Sequence, residues 1–339
     1  MSPCPPKVSV IVPNYNHGRY LRRRLESILG QSFRDFELII LDDCSTDDSR
    51  DVIADYLADP RVVTLFNAHN SGSTFKQWDK GLRIARGEYV WFAESDDYAE
   101  PTLVETLVDR MERHPNVGLA MTQSWVVDES GIVLHNYLID QRKLYEDASH
   151  WETDYLNKGA TERSAYFYRS NPIPNASAVL FRRRTLKQIG PLPTHMKLCG
   201  DWMIYARVLR HSDIAFVARP LNYFRAHSSS VREKANKTEI AWSETFLVRR
   251  ELARGLRLTH EKVWDDEVRA FVFIALGTAR RPPHQKVPLR DLPGLLARLA
   301  SAGWRGLGMA IPVLAREQAA DLARRLHLLP LFGSHKSRA

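Results

Sequence analysis

An apolar run, Tyr89-Val90-Trp91-Phe92-Ala93, empties directly into the acidic cluster Glu94-Ser95-Asp96-Asp97. A near-continuous apolar run reads as a parallel strand buried on both faces. Ligands in open α/β sheets bind outside the carboxyl ends of such strands. Carboxylates there are placed to hold a divalent metal, which can in turn hold a diphosphate. The plainer reading is an acidic turn capping the next helix, which Pro101 would suit. Two further runs end in polar residues: Val8-Ser9-Val10-Ile11-Val12 in Pro13-Asn14-Tyr15-Asn16, and residues 37–41 in Asp42-Asp43. A tyrosine face can stack on a nucleobase, and a carboxylate can accept the imide N–H of uracil or thymine. Each feature alone has a bland reading as a turn or a half-buried strap. Along one sheet edge, the three ends form a single crevice.

The elements that must position these residues alternate from the start. Leu21, Leu25, Ile28 and Leu29 recur at helical spacing after the first strand. Ser45 and Thr46 suit the caps of a second helix through Val52, Ile53, Tyr56 and Leu57. A third strand at 62–66, a third helix at 75–85 and the strand at 89–93 follow. This order implies right-handed βαβ units and a largely parallel α/β sheet. A fifth strand is expected over 117–122, with residues 125–127 close behind. Residues 142–175 are rich in turn residues and aromatics (Trp151, Tyr155, Tyr166, Phe167, Tyr168) that suit either a sugar-facing surface or a local core.

Composition narrows the setting. The chain has 339 residues, 44% hydrophobic and 26% charged, enough for one large domain with a helical extension. Cys4, Cys44 and Cys199 form no C-x-x-C pair, which argues against a zinc site or a disulfide framework and suits a reducing compartment. The start has no apolar core of a signal peptide, and no run approaches a spanning helix. A cytoplasmic location is expected. Residues 1–235 hold 30 Lys+Arg against 30 Asp+Glu, whereas 236–339 hold 18 against 10 and account for the net +8. No nucleic-acid module accompanies that surplus, so no nucleic-acid partner is expected.

The motifs as an ordered set resemble the family 2 glycosyltransferases. The likeness runs through Val8 to Asn16, Gln31-Ser32-Phe33, Asp42-Asp43-Cys44-Ser45-Thr46-Asp47 and Gly87-Glu88-Tyr89-Val90 with Glu94-Ser95-Asp96-Asp97. It continues through Ala178 to Arg183, Ile189-Gly190, Gly200-Asp201-Trp202 and Tyr223-Phe224-Arg225-Ala226-His227, covering about residues 7–232. The resemblance implies a GT-A fold, a nucleotide-sugar donor, a divalent metal (Mn or Mg) and inversion at the anomeric carbon. It places Pro13, Tyr15 and Asp43 at the base, Asp96 near the ribose and metal, and Asp97 as principal metal ligand. Glu94 stands where relatives carry the first Asp of D-x-D. Asp201 matches the catalytic base, although Asp before Trp202, Ile204, Tyr205 and Val208 also reads as a helix N-cap. His227 matches a residue that reaches the metal or diphosphate in some relatives, and Arg225 and Arg232 could meet phosphate by charge. Trp78-Asp79-Lys80-Gly81 replaces the family's Arg-Asn before the glycine, leaving Lys76 as a substitute for the missing arginine. His260-Glu261 has no second histidine at helical spacing and forms no zinc-protease motif.

A catalytic domain over 1–235 and a basic helical region over 236–339 are therefore expected. In the latter, Ala315, Ala319, Leu322, Leu326 and Leu329 form one stripe. It would pack on the parent domain or a second subunit, or lie on an anionic membrane at its inner face. The leading reading is sugar transfer from a UDP- or dTDP-sugar to a glycan or lipid-linked acceptor in surface polysaccharide or glycolipid assembly. A nucleotidyltransferase would share the crevice but expects a Gly-rich loop after the first strand, where this chain has Asn14-Tyr15-Asn16-His17-Gly18. A non-catalytic scaffold retaining the fold is the third reading.

Overall fold

The computed structural model describes residues 4–145, 147–227 and 239–256. Met1–Leu256 forms one compact unit. The apolar stripe at 315–329, His260-Glu261 and Arg232 lie outside the described residues.

Strands β1 (Val8–Asn14), β2 (Phe36–Asp42), β3 (Val62–Phe66) and β4 (Tyr89–Phe92) alternate with helices α1 (Gly18–Leu29), α2 (Ser49–Ala54) and α3 (Thr74–Ile84). Next come β5 (Tyr98–Ala99), α4 (Leu103–Arg113), β6 (Val117–Val127), β7 (Val133–Asn136), α5 (Leu138–Leu144), β8 (Tyr155–Asn157) and α6 (Gly159–Glu162). Strand β9 (Val179–Arg182), α7 (Arg183–Gln188), α8 (Gly200–His211), β10 (Asp213–Arg225) and α9 (Glu239–Ala253) follow, with short helical turns at Ser149–Trp151, Arg163–Phe167 and Ala176–Ala178. Strand β6 runs unbroken through both segments expected at 117–122 and 125–127.

The sheet runs β3-β2-β1-β4-β9-β6-β10-β5, with β7 beside β6 and β8 beside β10. Neighbours β3, β2, β1 and β4 are parallel, as are β6 and β10. Strand β9 is antiparallel to both β4 and β6. Its direction decides the site: the residues just before β9 lie at the edge where β4 ends. The end of β10 reaches the same edge.

Alternation along each strand sorts the core into two layers. Val8, Val10, Val12, Leu38, Ile40, Tyr89 and Trp91 pack with Leu21, Leu25 and Ile28 of α1 and with Leu103 and Leu107 of α4. Ile11, Ile39, Leu41, Val90 and Phe92 face the other way, onto Phe75 and Trp78 of α3 and Ile204 and Val208 of α8. Because both faces are covered, the strands read as unbroken apolar runs. Each such fully buried side chain contributes about 1.5–3 kcal/mol. The aromatic insertion is mostly core: Tyr145, Trp151 and Phe167 are buried in this second layer, with Tyr155, Tyr166 and Tyr168 packed against it. Helix α9 joins the same layer through Val248 and Leu252.

Helix α2 starts later than Ser45 and Thr46 suggest. Cys44 turns the chain at φ 67°, and the Ser45 hydroxyl accepts the Asn16 N–H at 3.0 Å. The capping residue is therefore used to stitch two loops together, and Asp47 accepts the Ser49 N–H instead.

Gly87 lets β4 lie against β1. A Cβ there would stand 2.5 Å from the Ser9 nitrogen and 2.7 Å from the Val8 carbonyl carbon, and backbone cannot yield as a side chain can. Gly87→Ala is expected to lose about 1–3 kcal/mol of stability by overpacking. Urea unfolding followed by circular dichroism measures it, and an unchanged midpoint would contradict the close approach.

Candidate functional site

Pro13, Tyr15 and Asp43 stand at the carboxyl ends of β1 and β2. Pro13 is buried near the end of β1, beyond the stretch paired with β4, so its missing N–H costs nothing on that side. Tyr15 is 45% exposed in the following loop, open to stacking. Asp43 is buried at the end of β2 and accepts hydrogen bonds from Asn67 Nδ2 (2.6 Å), the Ser71 N–H (2.8 Å) and Gln77 Nε2 (2.9 Å) on one oxygen. Its other oxygen accepts the Ser71 hydroxyl at 2.8 Å. These donors hold it as an oriented acceptor. Lys76 is turned to the Ser71 carbonyl at 3.1 Å.

The turn from Glu94 to Asp97 splits its carboxylates between two tasks. Asp97 points inward and is buried. It accepts the Ser177 hydroxyl at 2.6 Å, the Asn175 amide and the Arg225 backbone N–H at 2.9 Å. Both oxygens are thus engaged by protein donors. Asp96 faces His227, whose Nε2 lies 2.8 Å from Asp96 Oδ2. His17 stands beside them, its Nδ1 2.8 Å from the Ser95 hydroxyl. One ligand atom each from His17, Asp96 and His227 lie within 4.8 Å of one another. Asp97, expected as the principal metal ligand, does not join this set. His17 was not foreseen; its only sequence signal is a polar residue in the loop that closes the first strand.

Two nitrogens and a carboxylate oxygen converging this closely suit a borderline or hard divalent cation such as Mn²⁺. Burial lowers the His17 pKa, against the charge of Asp96, which favours the neutral imidazole that a metal needs. Burial alone would raise the Asp96 pKa, but the His227 hydrogen bond and the two histidines outweigh it and hold it below the ordinary range.

Behind this set lies concentrated charge. Burial pushes the Glu94 carboxyl up to about 8, helped by Asp96 and Asp97 and opposed by the Trp78 N–H and Arg24. Trp78 Nε1 donates to Glu94 at 2.9 Å while its ring stacks on Phe92, centroids 4.4 Å apart. Trp78 stands where the resemblance would put an arginine, and it meets Glu94 with a neutral donor. Burial and the Asp96 charge also raise Asp97. Arg24 of α1 is wholly buried 4.7 Å from the Trp91 ring, and its guanidinium nitrogens have no hydrogen-bond partner among the described residues. It faces the charges of Asp97, Glu94 and Asp96. Arg225, expected to meet phosphate, is instead turned onto the carbonyls of Asp96, Asp128 and Glu129 at 2.7–2.9 Å.

Asp201 stands in the first turn of α8, whose N-cap is Cys199. One of its oxygens accepts the Trp202 N–H at 2.7 Å, and the other lies 3.4 Å from Asn171 Nδ2. It is therefore not the N-cap residue that its position suggested.

Residues 9–190 match the family model "Glycosyl transferase family 2". The chain belongs to glycosyl transferase family 2. Glycosyltransferase GlyG of Streptococcus pneumoniae is 33% identical over 71% of this chain and 77% of that protein. The putative teichuronic acid biosynthesis glycosyltransferase TuaG of Bacillus subtilis is 36% identical over 42% of this chain and 57% of its own. Among solved structures, S. aureus TarS in complex with UDP-GlcNAc superposes with a TM-score of 0.70 at 18% identity, covering 95% of this chain and 92% of that one. This family 2 enzyme is thus a glycosyltransferase with the GT-A fold, and the nucleotidyltransferase and scaffold readings fall away. Among its described residues no helix is long and apolar enough to cross a membrane.

The buried carboxylates make stability pH-dependent. Glu94 has a folded pKa of about 8, above its ordinary value, so the native state keeps a proton that the unfolded chain has lost. Without metal, stability should fall as pH rises from about 4.5 to 8, by at most about 1.4 kcal/mol per pH unit. Urea midpoints in chelator should show this slope in the wild type and a shallower one in Glu94→Gln. An identical slope in both would contradict the assignment.

Proposed function

We propose that this family 2 glycosyltransferase moves a sugar from a UDP- or dTDP-sugar to an acceptor hydroxyl by a single inverting displacement with a divalent metal. The observation that carries the reading is the convergence of His17, Asp96 and His227 at the sheet edge that also holds Asp43. Those three residues would hold the metal, with Asp97 fixing the turn behind them. When bound, the metal would neutralise charge on the leaving diphosphate, a contribution of several kcal/mol.

The chain's own residues supply the rest. Tyr15 offers a face to the base against Pro13, and the oriented Asp43 carboxylate accepts the imide N–H. The UDP-GlcNAc complex of the structurally similar TarS supports a uridine donor. Asp201 takes the proton as the acceptor oxygen bonds to the anomeric carbon and the bond to the diphosphate oxygen breaks. One displacement inverts the configuration. The likeness to TuaG supports a place in surface polysaccharide assembly, with a glycan or lipid-linked glycan as acceptor. A cytoplasmic enzyme meeting the inner face of a membrane, or a second subunit, through residues 236–339 fits that role.

Calorimetry of UDP and dTDP with Mn²⁺ or Mg²⁺ tests the metal assignment. Chelation, or the change Asp96→Ala, should weaken nucleotide binding by about 10–100-fold. Equal affinity with and without metal would sink it. Asp201→Asn should leave nucleotide affinity nearly unchanged and cut transfer by about 10²–10⁴-fold. Transfer at the wild-type rate would eliminate Asp201 as the base.

A further inference from the structure

Helix α9 lies beyond the segment that matches the family, yet one of its side chains reaches the residues that carry Asp201. The Glu244 carboxylate accepts hydrogen bonds from three successive backbone N–H groups. Lys197 donates at 2.6 Å to one oxygen, and Leu198 and Cys199 donate at 2.8 Å each to the other. These groups lead into the first turn of α8, and the N-cap Cys199 supplies no side-chain cap of its own. Glu244 is only 6% exposed, so these N–H groups take the place of water around its charge.

Helix α9 is itself secured. Arg163 Nη2 donates to the carbonyls of Glu251 (3.1 Å), Leu252 (2.5 Å) and Arg254 (2.7 Å) at its far end. Val248 and Leu252 are fully buried. The loop that Glu244 grips also touches the nucleotide side. Lys197 Nζ donates to the Gly72 carbonyl at 2.9 Å, next to the Ser71 that binds Asp43. Gly200 lies so close to Phe75 that a Cβ would stand 2.6 Å from its ring.

We propose that Glu244 is a positioning residue for transfer: it fixes the 197–200 loop, and through it Asp201, against the nucleotide crevice. The inference rests on the reading of Asp201 as the base. Removing the carboxylate leaves three N–H groups to find other partners, so the start of α8 shifts. A displacement of about 1 Å at a reacting group can cost about 10²-fold in rate.

The full chain carries the test, with E244A, E244Q and D201N compared. UDP affinity with Mn²⁺ is measured by calorimetry. Turnover is read as UDP released when water takes the sugar, with UDP-glucose, UDP-galactose and UDP-N-acetylglucosamine supplied one at a time. E244A should lose turnover by about 10²-fold while UDP affinity stays within about threefold and KM barely moves. E244Q keeps one carbonyl acceptor for Leu198 and Cys199 and should recover part of the rate. If E244A does not fold, E244Q alone carries the comparison. Turnover in either folded Glu244 variant equal to wild type, while D201N is inactive, overturns the inference and leaves the base intact. Parallel loss of UDP affinity and turnover shows a merely structural role and also overturns it. Full turnover in D201N strikes the reading of Asp201 itself.

Discussion

Three carboxylates crowded into one tight turn at the end of a fully buried strand are the constraint around which this molecule is organised. Glu94, Asp96 and Asp97 repel one another in a medium that cannot screen them. Each is answered differently. Asp97 is enclosed by neutral donors from the loop before β9 and a backbone N–H of β10. Asp96 is matched by His227 with His17 beside it, an arrangement a cation can complete. Glu94 is held by an indole N–H and favours its neutral form. Arg24 adds a fixed positive charge from below, stacked on Trp91 and without hydrogen bonds of its own among the described residues. Such a buried guanidinium would be costly in isolation; facing three carboxylates, it is not isolated.

The topology follows from the need to bring these answers to one edge. Strand β9 must run antiparallel so that Asn175 and Ser177 arrive at its start, where β4 stops. Strand β10 must run with β6 so that Arg225 and His227 arrive at its end. Asn16 and Cys44, both at positive φ, fold the first two loops back so that His17 and Asp43 face the same crevice. Strain of this kind is retained where the surroundings over-determine the conformation.

The far side of the crevice is built from segments without motif character. The 142–175 insertion contributes Asn171 beside Asp201 and Arg163 beneath α9, while its aromatics form core. Helix α9 then returns a carboxylate to the start of α8. The helix bearing Asp201 is thus held from both flanks, by Asn171 at its first turn and by Glu244 at the residues just before it.

Much of this was legible in the amino-acid sequence. The first four strands, their helices and the edge bearing Pro13, Tyr15, Asp43 and the acidic turn follow from local rules: apolar runs, helical spacing and polar strand ends. Those signals are short-range, so a single sequence carries them. Which of Asp96 and Asp97 faces the open crevice was not legible, because adjacent residues in a turn differ only in where the backbone aims them. His17 gave no periodic signal, and it meets Asp96 and His227 at sequence separations of 79 and 210. The bonds from Glu244 span 45–47 residues and join two helices that look unrelated in sequence. Local chemistry determined the elements and the kind of site. Only the packing of distant segments decided which side chains share it, since charge and hydrogen bonding act through space and not along the chain.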